Sequence, residues 1–117
     1  MEEKIRRGDI FFAIIPEEID SLQQAMRPVM IIQNDISNMF SPTVIVAVIS
    51  SRKDDVDSYP SRAALGRRFG LPTKSVVLVD CIFTINKGRL GRYIGRISDE
   101  SVMDSLDSAL AASMDIY

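Results

Sequence analysis

The 117 residues suffice for one domain with its own core, and 46% of them are hydrophobic, an ordinary globular share. The 14 basic side chains stand against 16 acidic ones, and the net charge of -2 argues against a cationic coat while leaving room for a local patch. With no histidine and one cysteine, Cys81, the chain excludes an internal disulfide, lacks the usual zinc ligands and cannot form a Ser-His or Cys-His nucleophile pair.

The start, "MEEKIRRGD", is charged, and the apolar "IFFAIIP" after it is too short for a signal region. No stretch reaches the roughly 18 apolar residues of a membrane span. These features, with the lone cysteine, lead us to expect a cytoplasmic protein. "GDIFFAIIP" reads as a first strand, opened by a Gly-Asp turn and stopped at Pro16. "EEIDSLQQA" reads as a loop with room for a helical turn. "PVMIIQ" is the second strand. Pro28 fixes its own φ and steers Arg27 away from helix.

"NDISNMFSP" reads as a turn-rich connection. "TVIVAVISS", residues 43–51, is an unbroken β-branched run of the kind found in a central strand. The mixed segment from Arg52 to Lys74 has room for one edge strand and a short helical turn. "SVVLVDCIFTI" is a buried strand, bent near Asp80. "NKGRLGRYIGRIS" is a basic segment punctuated by glycine.

The tail is a helix. Ser98 is the expected N-cap, and Asp99 and Glu100 suit the positive end of the dipole. Val102, Leu106, Ala109, Leu110 and Ser113 share one face, while Asp104, Ser105 and Ser108 take the other. Short connections predict mainly antiparallel pairing. The sum is a single domain, 1–117, mainly β with a C-terminal α-helix: a small, partly closed barrel with the helix packed on it.

Polar residues at the ends of apolar strands are the candidates for chemistry. Arg27 enters one strand, Ser50 and Ser51 end another, and Asp80 interrupts a third. Pattern alone favours a structural role for each. Arg27 could pair with Asp35, Ser50 could bond a carbonyl, and Asp80 could cap the bend. The basic run Lys87, Arg89, Arg92 and Arg96 likewise reads first as solvated surface, although Tyr93 within it offers a ring on which a base can stack. The glycines at 88, 91 and 95 do not make a dinucleotide fingerprint.

"RRGDIFFAIIP", "RPVMIIQNDISNMFSPTVIVAVIS", "SVVLVDCIFTINKGRL" and "MDSLDSALAAS" together resemble the MazF/PemK family of toxins from type II toxin–antitoxin systems. The resemblance runs nearly end to end and is poor only over residues 52–69. It implies an SH3-like barrel of the CcdB/PemK type, a homodimer, and an mRNA interferase. That activity is metal-independent, sequence-specific cleavage of single-stranded RNA, with no cofactor. It implies Arg27 and Ser50 as catalytic residues, and Gln23, Gln24, Pro28, Ser51 and Asp80 as RNA contacts. It also implies a MazE-like antitoxin partner. The homodimer is expected to use "NDISNMFSP" and the terminal helix.

Several positions depart from the family pattern. In "DSLQQAM", Leu22 stands where Glu is common and Ala25 where Gly is. Ser50 replaces a frequent Thr, which keeps the hydroxyl but loses the methyl that restricts χ1. Cys81 and Phe83 replace the Gln and the Arg or Lys that often follow the acidic residue. The competing reading is a non-catalytic or gyrase-poisoning toxin of the CcdB kind, because one fold hosts several functions.

Overall fold

The computed structural model describes residues 4–16, 24–51 and 62–116. Six strands and two α-helices follow in the order β1 (Asp9–Pro16), β2 (Gln24–Ile31), α1 (Asp35–Phe40), β3 (Thr43–Ser50), β4 (Arg62–Gly66), β5 (Ser75–Asn86), β6 (Leu90–Arg96) and α2 (Glu100–Ser113). The strands form one sheet in the order β4-β5-β3-β2-β1-β6, and every pairing is antiparallel. The expected mainly β barrel with a terminal helix is what the chain builds.

Period-two alternation gives this sheet two cores. Ile10, Met30, Ala47, Ile49 and Val77 point to one side, where α2 lays down Val102, Leu106 and Ala109. Phe11, Ala13, Val29, Ile31, Val46 and Val48 point to the other and pack with Ile85. β5 serves both. Its register with β3 jumps from Ala47 opposite Ile82 to Val48 opposite Leu78, so Val79, Asp80 and Cys81 form a bulge. Before the bulge Val77 and Val79 face α2; after it Cys81, Phe83 and Ile85 face the second core. The bend expected at Asp80 is this change of side.

The barrel closes at a point of backbone contact. The turn after β4 presses Phe69 and Gly70 onto Ile94 and Gly95 of β6. A Cβ on either glycine would collide with a backbone carbonyl of the facing segment.

Five expectations need correction. The second strand begins at Gln24, so Arg27 lies within it, and it ends at Ile31. "NDISNMFSP" contains a helix, not merely turns. Asn34 caps it by accepting the Ser37 N–H at 2.8 Å. Its buried anchor is polar, Asn38, while Ile36, Met39 and Phe40 are exposed, so the apolar pattern did not mark the inward face. "NKGRLGRYIGRIS" holds a 3-10 turn at Lys87–Arg89 and then β6, whose half-covered residues hide a strand's alternation. The cap of α2 is Asp99, not Ser98: its carboxylate accepts the N–H groups of Ser101 and Val102. The helical turn allowed between Arg52 and Lys74 is absent from the described part of that segment, whose only regular element is β4.

Candidate functional site

Arg27 faces Ala13 across the β1–β2 ladder. On its other side, β2 pairs with β3 at Val29–Val48, Met30–Ala47 and Ile31–Val46. Continued two residues, that register brings Arg27 level with Ser50. Alternation sets both side chains on the side shared by Val29, Ile31, Val46 and Val48. The β2–β3 ladder ends beside Pro28, which has no N–H to extend it. Arg27 and Ser50 therefore stand where two central strands part. Arg27 is exposed, Ser50 is half-buried, and Ser51 just beyond is exposed.

The β5 bulge brings a third group to this end. Asp80 is exposed at its centre, next to half-buried Cys81. The Cys81 thiol is pushed above its ordinary value, chiefly by burial and then by the Asp80 carboxylate, while Arg27 opposes the rise. Arg27 and Asp80 thus both act on Cys81, with opposite signs. The sequence flagged Arg27, Ser50 and Asp80 separately; strand register and the bulge bring them together.

The other expected contacts divide. Pro28 pairs with Phe12 on the β1 side. Gln24 opens β2 opposite Pro16, and only its backbone is described. Gln23 lies outside the described residues. The basic run divides: Arg89 and Arg92 are exposed, as a solvated surface would be, whereas Lys87 and Arg96 are half-buried. The ammonium of Lys87 donates to the Asn38 carbonyl. Arg92 lies over the Phe12 ring at 5.3 Å, and Arg96 pairs with Asp9 at 3.0 Å. The sequence did not single out Phe11, Lys4 or Arg6, which join Tyr93 in a small cleft. No periodic signal links the chain start to β6. Among the described residues, no three His, Cys, Asp or Glu side chains are grouped as a metal ion would need.

Residues 6–114 match the PemK-like, MazF-like toxins of type II toxin–antitoxin systems. The chain belongs to that family. This PemK/MazF-type chain is 40% identical over 111 residues to the endoribonuclease EndoA of Bacillus subtilis (strain 168), an overlap covering 94% of each protein. Its fold is similar to that of the Mycobacterium tuberculosis toxin MazF-mt6, with a TM-score of 0.74 and 26% identity, over 93% of this chain and 98% of that one. It is also similar to a mycobacterial endoribonuclease solved with its cognate antitoxin, at a TM-score of 0.79 and 22% identity, over 97% of both chains. Among the described residues no helix of this toxin is long and apolar enough to cross a membrane.

Proposed function

We propose that this toxin is a metal-independent endoribonuclease that cuts single-stranded RNA at a preferred sequence in the cytoplasm. The observation that carries the reading is the shared level and side of Arg27 and Ser50 where β2 and β3 part. The relative of the same length named an endoribonuclease supports it.

The chemistry needs no external nucleophile. The ribose 2′-OH attacks the adjacent phosphorus, the P–O5′ bond breaks, and the products are a 2′,3′-cyclic phosphate and a 5′-OH. One proton leaves the 2′-OH and one reaches the departing 5′ oxygen. Arg27 supplies a planar fork of donors to the phosphorane oxygens, where negative charge accumulates. The Ser50 hydroxyl donates to a phosphate oxygen or orients the 2′-OH. It is not a nucleophile, because no histidine exists to activate it. Asp80 transfers a proton or reads a base edge. Pro28 and Ser51 flank Arg27 and Ser50 in the chain, and the family resemblance adds Gln23 and Gln24 as further RNA contacts.

The partners are an acidic MazE-like antitoxin, whose charge competes with RNA, and a second copy of the chain. The exposed Ile36, Met39 and Phe40 of α1 suit the homodimer contact. The test is RNA cleavage mapping in EDTA. Wild type should cut and leave cyclic phosphate ends. Arg27→Ala should lose about 100-fold or more in kcat, the usual effect of removing a preorganised donor of roughly 3 kcal/mol. Ser50→Ala should lose less. A varied RNA pool left intact by wild type would overturn the enzymatic reading. Capture of gyrase without cleavage would point to the CcdB-like alternative.

A further inference from the structure

Tyr93 is left over by the reaction just described. It projects from β6 and is 45% exposed. Its ring meets Phe11 edge-on, with centroids 5.4 Å apart and planes at 75°. Phe11 is itself buried in the second core, so it makes a firm backstop for an outward-facing ring. Lys4 and Arg6 line the same cleft of about 230 Å³. Its one carboxylate, Asp9, is only 2% exposed and is neutralised within the fold, accepting the Arg6 N–H at 2.9 Å and the Arg96 guanidinium at 3.0 Å. The cleft therefore presents an aromatic face and cations to an incoming strand, with its negative charge already paired. Lys4 and Arg6 also line a larger neighbouring cleft of about 550 Å³.

The position matters as much as the composition. Tyr93 pairs with Phe11 on β1, and Arg27 pairs with Ala13 on the same strand. Phe11 and Ala13 point to the same side of the sheet. Two strand spacings and two residues of rise separate the Cα atoms of Tyr93 and Arg27 by about 12 Å on standard β geometry. A strand held at Arg27 reaches Tyr93 within a few nucleotides.

We propose that Tyr93, with Lys4 and Arg6, forms a stacking subsite for an unpaired base of the RNA flanking the cleaved bond. The subsite rests on the endoribonuclease reading, which it extends beyond the reacting phosphate. Stacking tolerates any base, because every base has a π face, so Tyr93 adds affinity more than sequence choice. The two cations hold the neighbouring phosphates and make binding salt-dependent.

Two measurements test it. In the first, a 2′-O-methyl RNA oligonucleotide, which has no 2′-OH to attack, carries 2-aminopurine at successive positions and is titrated with the full-length protein. One position should be quenched by wild type and by Tyr93→Phe, but not by Tyr93→Leu, which keeps an apolar side chain against Phe11. Affinity should fall about tenfold in Tyr93→Leu, within the range typical of one lost stack. Arg6→Ser should flatten the salt dependence by roughly 0.7 in the log-log slope.

In the second, on cleavable RNA, Tyr93→Leu should raise KM with kcat unchanged, the mark of binding shared by ground and transition states. The effect should vanish on substrates trimmed short of the quenched position. Equal affinity and equal quenching in Tyr93→Leu would overturn the subsite, even if antitoxin binding weakened. If wild type cuts no RNA, the endoribonuclease reading fails, and the oligonucleotide titration still reads the subsite by itself.

Discussion

The Arg27 guanidinium favours the thiolate of Cys81, against burial and the Asp80 carboxylate, which together hold the thiol above its ordinary value. Cys81 is thus an internal probe of the candidate site that does not depend on activity. Its alkylation rate by iodoacetamide follows the thiolate fraction, and the pH midpoint of that rate reports the thiol's pKa. Arg27→Ala removes an attraction for the thiolate, so the midpoint should rise. Asp80→Asn removes a repulsion, so it should fall. Midpoints unmoved by both changes would mean that the three groups do not share a site.

Barrel closure makes a second prediction. Gly95 and Gly70 meet the facing backbone so closely that an added Cβ has no room, and a carbonyl cannot swing aside as a flexible side chain can. Gly95→Ala should cost about 2 kcal/mol, as overpacking does in well-packed interiors. Gly70→Ala should cost more, because its φ of +86° adds conformational strain. Gly66 is the control. It also has a positive φ, +68°, but nothing lies within 4 Å of an added Cβ. Gly66→Ala should therefore show the conformational cost alone, about 1 kcal/mol. Urea midpoints of the three variants give the ranking, and equal losses would remove the steric argument.

The elements that could be read from sequence are those whose burial follows their period. "TVIVAVISS" and "SVVLVDCIFTI" are continuous apolar runs because both sides of β3 and β5 are covered. The α2 face was legible because Val102, Leu106 and Ala109 repeat at helical spacing. α1 was not, because its inward residue is Asn38 and its apolar residues point out. β6 was not, because an edge strand with four exposed or half-exposed polar and glycine positions keeps no alternation. For the site, sequence named Arg27, Ser50 and Asp80. Their juxtaposition depends on pairings across distant segments, and the Phe11–Tyr93 contact depends on β1 lying beside β6, which no local signal announces.

The Asn38 anchor carries its own expectation. The side chain is 2% exposed and exchanges hydrogen bonds with Gln33: it accepts the Gln33 amide at 3.0 Å and donates to the Gln33 carbonyl at 2.9 Å. The same Gln33 amide donates to the Thr43 carbonyl at 3.0 Å. Asn38→Leu fits an apolar group into the space but leaves buried Gln33 groups unpaired. The loss should be about 1–3 kcal/mol, the cost of an unsatisfied buried polar group. Half-buried Ser37→Ala beside it removes no buried side-chain partner of Gln33 and should change stability by less than about 0.5 kcal/mol. If α1 belongs to the homodimer contact, Asn38→Leu should also lower the apparent mass in analytical ultracentrifugation at low concentration.

The α2 cap sets a pH dependence whose sign is fixed by its hydrogen bonds. The Asp99 carboxyl is held below its ordinary value of 3.8, first by the Ser101 hydroxyl, then by the Arg68 guanidinium and the Ser101 N–H. A depressed folded-state value means that the stabilisation is fully present above the unfolded carboxyl's pKa. It is lost as pH falls through the lower folded value. Asp99→Asn keeps a capping oxygen but cannot ionise. Wild type should therefore exceed the variant in urea midpoint near neutrality, and the gap should narrow as the carboxyl takes up its proton below about pH 4. The Arg68 share should shrink in high salt, because that pair at 3.2 Å is open to solvent. Asp35, lowered mainly by the Arg7 N–H, titrates in the same direction, so it is common to both proteins and cancels in the difference. A gap that stays constant down to pH 3 would mean that the Asp99 charge does nothing a neutral cap cannot do.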